Sequence, residues 1–466
     1  RANRSMQIDL YDFATLKKVA TLIDSKSHKD LAEGIDSYVF SADEKMILIA
    51  NSSIQIFRHS FTADYFLYDT TTKNLTKLFD FQVQEPTFSP DGKKIAYAKE
   101  NNLYVYDIAT KKSTQITNDG KKNAIINGIT DWVYEEEFAF VRAFDWRADS
   151  KKLAFIRFDE SEVPEFSMSI FRKDLYPTVE TFKYPKAGEK NSTVSLHIYD
   201  VATASKKDVN LSNYSDFYIA RMKWTKDANV LSAQVLNRHQ DNLDLLFIDG
   251  NAATAKVVLN EKDKAYVDVT DNLTFLKDNS FIWTSEKDGF NHIYLYDKTG
   301  KLKNQVTKGN WEITNYYGFD EKSNTVFYQS VENGSINRDV YRIGIDGKNK
   351  TRLTSQTGTN TATFSPNYQY FINAFSSATQ PPVYSLNESK SGKSIQVIEN
   401  NEALATKLKA YDIATKEFFV LKTSKGHSLN AWMIKPKDFD ASKKYPVFMY
   451  QYSGPGSQQV NNDWNS

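Results

Sequence analysis

Residues 88–107 read FSPDGKKIAYAKENNLYVYD, and this stretch contains both elements of the repeat that decides the fold. Phe88 opens a tight polar turn at Ser89-Pro90-Asp91-Gly92, and an apolar run follows the turn. The alternating segment Leu103-Tyr104-Val105-Tyr106 then ends in an acidic turn at Asp107, a pattern typical of a β-hairpin. The stretch therefore predicts consecutive antiparallel strands joined by tight turns.

The first element, an aromatic residue before a polar turn, recurs along the chain. Clear copies begin at Phe40, Phe88, Trp146, Trp224 and Phe275, and weaker copies begin at Phe319 and Phe364. Successive copies are separated by 48, 58, 78, 51, 44 and 45 residues. Most of these spacings are close to the length of a β-propeller blade, about 40 to 50 residues. The second and third spacings are longer, which predicts an insertion within each of them.

The second element, a strand that ends in an acidic turn, recurs in the same register. Its copies are Leu10-Tyr11-Asp12, Tyr68-Asp69, Tyr106-Asp107, Tyr199-Asp200, Ile248-Asp249, Tyr296-Asp297, Ile345-Asp346 and a degraded one at Tyr384. One copy alone would indicate only a surface hairpin. Together they predict an all-β chain forming an eight-bladed β-propeller whose first blade is truncated. The Gly-His and Trp-Asp signature of WD repeats is missing, which argues against that propeller class.

The pattern changes after about Ser394, where a second domain is predicted to begin. Residues 397–408 contain helix-forming residues, with Asn400 or Asn401 available as the N-cap. Strands are predicted at 417–421, 429–435 and 445–452, followed by a turn at Ser453-Gly454-Pro455-Gly456. The predicted domains are therefore 1–393 and 394–466, the second incomplete.

Composition excludes several classes of function. The formal net charge is +1, with 59 basic and 58 acidic residues, which predicts no nucleic-acid or anionic-membrane partner. No apolar run reaches the roughly 18 residues that would cross a bilayer, and the start Arg1-Ala2-Asn3-Arg4 looks trimmed. Cysteine is absent and the six histidines show no metal-ligand spacing, so neither a metal nor a cofactor is predicted.

The most unusual segment is the acidic triplet Glu135-Glu136-Glu137, inside the first long spacing. Such a triplet is usually a solvated face. Here Trp132, Tyr134 and Phe138 flank it, and clustered carboxylates in a partly dry place repel one another unless a cation joins them. A hard metal cation would need further oxygen ligands. A protonated amine, with one charge and three donors, suits two carboxylates better.

Residues 131–137, DWVYEEE, resemble the glutamate motif of the dipeptidyl peptidase IV family. Further similarity lies at 57–63 (FRHSFTA), 158–164 (FDESEVP), 184–188 (YPKAG), 445–446 (YP) and 452–458 (YSGPGSQ). The resemblance spans nearly the whole chain. It implies that 394–466 begin an α/β-hydrolase catalytic domain.

In that family the second and third glutamates bind the free N-terminus of a peptide, which assigns this role to Glu136 and Glu137. The family's tyrosine before the Gly-Pro turn matches Tyr452, whose hydroxyl would donate to the oxyanion. Without the resemblance, the sequence favours a different interpretation, in which Tyr452 is an aromatic residue at the end of a strand that packs on the core. The resemblance implies a serine exopeptidase that releases X-Pro or X-Ala dipeptides. No Gly-x-Ser-x-Gly elbow occurs, and the family places Ser, Asp and His beyond residue 466, so these residues alone are predicted to be inactive.

Two further expectations come from the resemblance. Residues 158–193 correspond to an arm that, with the hydrolase domain, forms homodimers in the family, and the family's location implies a periplasmic or secreted protein. The chain departs from the family pattern at one position. The family has an arginine that binds the backbone carbonyl of the substrate, and no arginine occurs here between Arg58 and Arg142. Lys77 could replace it only as a point charge.

Two alternatives stay open. The chain could belong to a non-catalytic propeller that binds peptides or proteins, with a degenerate hydrolase domain. It could also belong to a tripeptidyl peptidase or oligopeptidase relative, although the adjacent Glu136 and Glu137 favour a dipeptidyl peptidase. A Gly-x-Ser-x-Gly elbow followed by Asp and His downstream would separate an enzyme from a binding protein.

Overall fold

The computed structural model describes residues 6–411, 413–452, 454 and 456–464. Its internal contacts divide the chain into two compact units. The first comprises the described residues up to Asp271 except Phe13–Leu16, together with Lys277–Asn279, and the second comprises the other described residues. Among all of these residues, no helix is long and apolar enough to cross a membrane.

The first unit consists of antiparallel sheets built from successive strands. Strands β1 (Gln7–Tyr11) and β2 (Lys18–Asp24) form a hairpin that precedes two short 3-10 helices, Ser25–Ser27 and Lys29–Leu31. Three larger sheets follow. They contain β3 (Ser37–Phe40), β4 (Met46–Gln55), β5 (Phe61–Asp69) and β6 (Leu75–Lys77); then β7 (Gln84–Phe88), β8 (Lys94–Lys99), β9 (Asn102–Asp107) and β10 (Lys112–Gln115); then β11 (Ile125–Asn127), β12 (Phe144–Trp146), β13 (Lys152–Asp159), β16 (Thr193–Asp200) and β17 (Ser205–Asp208).

Two insertions interrupt the third of these sheets, where the long spacings of the repeat predict them. Helix α1 (Trp132–Glu137) lies between β11 and β12, and a separate hairpin of β14 (Glu165–Ile170) and β15 (Thr178–Lys183) lies between β13 and β16. The last sheet of the unit contains β18 (Phe217–Trp224), β19 (Val230–Asn237), β20 (Asn242–Asp249) and β21 (Ala255–Lys262).

The second unit repeats the same four-stranded sheet three times. The sheets contain β22 (Thr274–Phe275), β23 (Phe281–Ser285), β24 (His292–Tyr296) and β25 (Leu302–Gln305); then β26 (Ile313–Asp320), β27 (Thr325–Ser330), β28 (Asp339–Gly344) and β29 (Thr351–Arg352); then β30 (Thr359–Phe364), β31 (Tyr370–Ser377), β32 (Gln380–Glu388) and β33 (Ser394–Glu399). Helix α2 (Glu402–Leu408) and a hairpin of β34 (Lys416–Lys422) and β35 (Ser428–Ile434) follow.

The polar turn of the repeat forms the same hydrogen bonds in different sheets. The Ser89 hydroxyl donates to Asp91 Oδ1 at 2.6 Å and accepts from Lys94 N at 2.9 Å. Ser41 with Asp43 and Ser365 with Asn367 make the equivalent side-chain bond at 2.7 and 2.8 Å. Because these local bonds satisfy the backbone at the turn, the short polar motif between strands is enough to reverse the chain.

The cores lie between successive sheets. In the first unit Leu48 and Tyr65 of one sheet pack with Ile95 and Tyr97 of the next. In the second unit Ile282 and Ile293 pack in the same way with Val326 and Tyr328. Strands between two such cores are buried on both faces, which explains why the four consecutive residues Leu103–Tyr106 in β9 are all apolar.

The all-β class is confirmed, and the meander sheets packed face to face are consistent with a propeller. The count of eight blades, the hydrolase domain and the boundary between 393 and 394 remain predictions. The repeat element at Leu10-Tyr11-Asp12 forms the β1–β2 hairpin.

Two local predictions after Ser394 were wrong in part. The helix predicted over 397–408 begins only at Glu402, with Asn401 as its N-cap, because Val397 and Glu399 pair with β32 as part of β33. The strand predicted over 445–452 does not form, since no strand among the described residues pairs with it. Ser453 and Pro455 of the predicted turn and residues 1–4 lie outside the described residues.

Candidate functional site

Helix α1 presents the acidic triplet and begins at a side-chain cap. Asp131 is the N-cap, and its Oδ1 accepts from Tyr134 N at 3.0 Å. Its other oxygen accepts from the Ser192 hydroxyl at 2.5 Å. A helix of six residues is too short to be stable alone, so its position depends on these bonds and on packing.

The packing that holds α1 is centred on Tyr134. This side chain is only 1 % exposed, and its ring contacts those of Phe138, Phe158 and Tyr218. Its hydroxyl accepts from Ile219 N at 3.0 Å, and burial raises the pKa of Tyr134 well above its ordinary value. The tyrosine between the cap and the triplet therefore fixes the helix to the neighbouring sheet.

The first glutamate of the triplet anchors a neighbouring loop. Glu135 is buried, and its Oε1 accepts from His59 N at 2.5 Å and from Ser60 N at 2.8 Å. Both donors belong to the turn between β4 and β5. Glu135 is thus used inside the protein, and the assignment of ligand binding to the other two glutamates remains a prediction.

The second glutamate forms an ion pair with Arg58, from the same turn. Arg58 Nε donates to one carboxylate oxygen of Glu136 at 2.8 Å and Nη2 to the other at 2.5 Å. The hydrogen bonds from Arg58 lower the pKa of Glu136, and the pKa of Arg58 is raised in return. The cation that the clustered carboxylates require is therefore supplied, for Glu136, by the chain itself.

The third glutamate is open to solvent. Glu137 is exposed and makes no hydrogen bond or ion pair with the part of the chain that the structure describes. The Glu136 side chain is 24 % exposed and that of Arg58 66 %. The site therefore consists of one paired carboxylate, one unpaired carboxylate and a guanidinium that solvent reaches.

Arg58 lies within the FRHSFTA motif, and its role was not predicted from the sequence. Lys77, the predicted substitute for the missing arginine, pairs with Asp64 at 3.2 Å. Arg58 instead contacts Glu136 directly. The available signal was the position of Arg58 inside a segment that resembles the family.

Two buried carboxylates, those of Asp131 and Glu160, lie near each other at the start of α1. Glu160 is only 6 % exposed, and burial, with a smaller contribution from the nearby Asp131, raises its pKa to about 7. Burial likewise raises the pKa of Asp131, while its hydrogen bond from Ser192 acts in the opposite direction. Lys183, at the base of the β14–β15 hairpin, favours the charged form of Glu160.

Tyr452 lies in the second unit, in an irregular segment. Its side chain is 65 % exposed and forms no hydrogen bond with the described residues. The exposed position differs from the expectation of a strand-end aromatic packed in a core, because the predicted strand is not formed. Its role in oxyanion stabilisation remains a prediction.

The histidines include one arrangement that their spacing did not reveal. The Ser195 hydroxyl lies 2.8 Å from His197 Nε2, and His197 Nδ1 lies 2.7 Å from Asp208 Oδ1. Since the carboxylate can only accept, the neutral ring donates from Nδ1 and accepts from Ser195. Burial lowers the pKa of His197, and its ring stacks on Phe155 at 5.0 Å. We assign these two hydrogen bonds a role in the stability of the sheet, since Ser195 and His197 lie on the same strand, β16.

No group of three or more potential metal ligands occurs among the described residues.

Comparison with known proteins identifies the family. The family described as "Dipeptidyl peptidase IV (DPP IV) N-terminal region" matches residues 41–382. The chain is 31 % identical over 456 residues to "Dipeptidyl peptidase 4" of Trichophyton tonsurans, covering 93 % of this chain and 58 % of that protein. It is 31 % identical over 466 residues to "Dipeptidyl aminopeptidase B" of Saccharomyces cerevisiae, covering 91 % of this chain and 57 % of that protein.

A solved structure gives the same result. The crystal structure of Porphyromonas gingivalis dipeptidyl peptidase 4 is 43 % identical, with a TM-score of 0.94, and the match covers 99 % of this chain and 66 % of that one. The chain therefore spans less than two thirds of the length of these relatives. The resemblance predicted from residues 131–137 is confirmed: this chain belongs to the dipeptidyl peptidase IV N-terminal region family.

Proposed function

We propose that this chain is the substrate-selecting part of a serine exopeptidase that releases N-terminal X-Pro or X-Ala dipeptides. In this proposal Glu136 and Glu137 bind the ammonium group of the substrate, and Tyr452 donates to the oxyanion. The names of the relatives support a dipeptidyl peptidase. A periplasmic or secreted location and a homodimer formed through the 158–193 arm and the hydrolase domain belong to the same proposal.

The observation that carries the proposal is the unequal state of the three glutamates. Glu135 is consumed by two backbone donors, Glu136 is held by Arg58, and Glu137 is open. A carboxylate offers about four lone pairs, and Arg58 occupies two of those on Glu136. An ammonium group can therefore bind Glu136 without displacing Arg58, and its single positive charge can neutralise the open Glu137. Its three N–H donors are enough to bind both carboxylates.

We propose that Arg58 takes the role of the family arginine that binds the substrate carbonyl. Two of the five N–H donors of its guanidinium bind Glu136, and the other donors are accessible in a side chain that is 66 % exposed. We infer that these donors bind the backbone carbonyl of the first substrate residue. The amine and this carbonyl would then be held from adjacent points, which fixes how far the peptide enters and places cleavage after the second residue.

The test of the amine site is Glu137→Gln and Glu136→Gln in the complete enzyme. Loss of a charge-assisted partner to the ammonium should lower kcat/KM for Gly-Pro-p-nitroanilide by about 10²-fold or more. Glu44→Gln, at an exposed glutamate in the turn between β3 and β4, is the matched control and should leave kcat/KM unchanged. Unchanged kcat/KM in both site variants would reject the proposal.

Arg58→Lys tests the second part. Lysine keeps the charge but loses the planar fork, so it cannot hold Glu136 in bidentate fashion and also reach the carbonyl. We expect KM to rise by about tenfold, with a smaller change in kcat. Arg157→Lys, which changes an arginine paired with Asp119, is the control. Equal KM values for the wild type and Arg58→Lys would remove Arg58 from the proposed site.

A further inference from the structure

Five aromatic side chains form a cluster beside the proposed amine site. Trp132 and Tyr184 have ring centroids 4.3 Å apart, and Phe57 and Phe182 have centroids 5.7 Å apart. Phe166 joins them, at 5.4 Å from Tyr184 and 6.1 Å from Phe182. All five side chains are half-buried. We call these residues the aromatic cluster.

The cluster connects three segments that are distant in sequence. Phe57 immediately precedes Arg58, and Trp132 is the first residue of α1, which carries Glu136 and Glu137. The other three rings come from the base of the β14–β15 hairpin and the residue just after it. The loop that carries Arg58 and the helix α1 therefore each pack one aromatic ring against the same hairpin.

Polar contacts follow the same route. Lys183, between two cluster residues, donates to Val163 O at 2.8 Å and closes the base of the hairpin. Ser192, at the end of the segment that returns from the hairpin, donates to the N-cap Asp131. The outer part of the hairpin, residues 171–180, is exposed throughout. Contact with the amine site is therefore made by the base of the hairpin alone.

We propose that the base of this hairpin positions the amine site, with Phe182 and Tyr184 as positioning residues that set the spacing between Arg58 and helix α1. The inference rests on the proposed function of Glu136 and Glu137. Aromatic pairs contribute roughly a two- to tenfold factor each, and small displacements of binding groups are costly in an oriented site. In this proposal the rings act through the positions of Arg58 and α1, so their effect is on binding of the free N-terminus.

The experiment compares Phe182→Ala with Phe290→Ala in the complete enzyme. Phe290 is 37 % exposed and lies outside both the cluster and the hairpin, so its variant removes the same side chain without touching the cluster. We expect Phe182→Ala to raise KM for Gly-Pro-p-nitroanilide about tenfold and to change kcat less than about twofold. Phe182→Tyr, which keeps the ring, should restore KM. An equal rise of KM in Phe290→Ala, or a fall in kcat alone, would overturn the inference.

A double mutant separates positioning from a general loss of stability. If Phe182 acts through the amine site, its effect on KM should largely disappear when Glu137→Gln is already present, whereas a merely structural effect would be additive. Glu136→Gln and Glu137→Gln both without effect would reject the proposed function itself. Glu137→Gln with its expected effect, but Phe182→Ala with normal KM, would reject only the positioning role. If Phe182→Ala does not fold, Tyr184→Leu, which removes the contact to Trp132, is judged by the same outcomes.

Discussion

Helix α1 and the segment at 445–452 both contain residues that the family resemblance selects, but their surroundings differ. Around α1, Asp131 caps the helix, Tyr134 is buried beneath it and Glu135 binds two backbone amides. In the other segment Val447 and Phe448 are 88 % and 92 % exposed, and no strand forms. The role of Glu136 and Glu137 can therefore be argued from contacts, whereas that of Tyr452 rests on the resemblance. A motif identifies a residue, but only its neighbours fix its geometry.

The largest expected effect concerns Tyr452, whose proposed role has less support from contacts than the roles of Glu136 and Glu137. Tyr452→Phe in the complete enzyme should lower kcat by about 10² to 10³-fold if the hydroxyl donates to an oxyanion, while the Kd of a product dipeptide stays the same. Tyr450→Phe, another 65 % exposed tyrosine two positions earlier, is the control. Normal turnover in Tyr452→Phe would leave α1 as the only motif with a supported role.

A second prediction concerns the anchor within the triplet. Glu135→Ala leaves His59 N and Ser60 N without their acceptor and should lower the free energy of unfolding by about 3 kcal/mol. Glu137→Ala, at an exposed position, should change it by less than about 0.5 kcal/mol. Urea denaturation followed by circular dichroism measures both. Similar losses in the two variants would contradict the division between an anchoring and a ligand-binding glutamate.

The smallest effect depends on pH and concerns the carboxylate behind α1. Burial raises the pKa of Glu160 from 4.5 to about 7, so the folded state binds more protons than the unfolded state between these values. Its contribution to stability is therefore lost as the pH rises through this range. Glu160→Gln should be more stable than the wild type by about 2 kcal/mol above pH 7, allowing for partial solvation, and equally stable below about pH 4.5.

The same denaturation series checks this prediction at pH 4.5 and pH 8. Glu162→Gln is the control, because Glu162 is 74 % exposed and pairs with Lys190 on the surface. A gain in stability that is equal at both pH values would show that charge is not its cause.

Much of the fold could be predicted because its determinants are local. The turn bond of Ser89 with Asp91 recurs at Ser41 with Asp43 and at Ser365 with Asn367, so similar local sequences form similar turns between strands. The strand at 445–452 could not be predicted correctly from its apolar run alone, because a strand also needs a neighbour with which to pair. The same limit applies to β33, where pairing with β32 overrides the helix-forming residues at 397–399.

The site was predicted less completely than the fold. The residue types in 131–137 pointed to a cation, but the sequence did not show that Arg58 supplies one from 78 residues away. Nor did it show which glutamate is buried, since that depends on the amides of His59 and Ser60. Pairings between distant segments are decided by the fold and leave no pattern in the local sequence.

The meander order of the sheets also has a consequence for how the protein folds. Every sheet of four or more strands that the structure describes is built from neighbouring stretches of the chain, so its native contacts close short loops at small entropic cost. Each sheet can form soon after its last strand leaves the ribosome, and each new one docks on a surface already in place. The sheet of β11, β12, β13, β16 and β17 has longer loops to close than the other sheets, because α1 and the β14–β15 hairpin interrupt it. We therefore expect the region around the proposed amine site to be the slowest part to assemble.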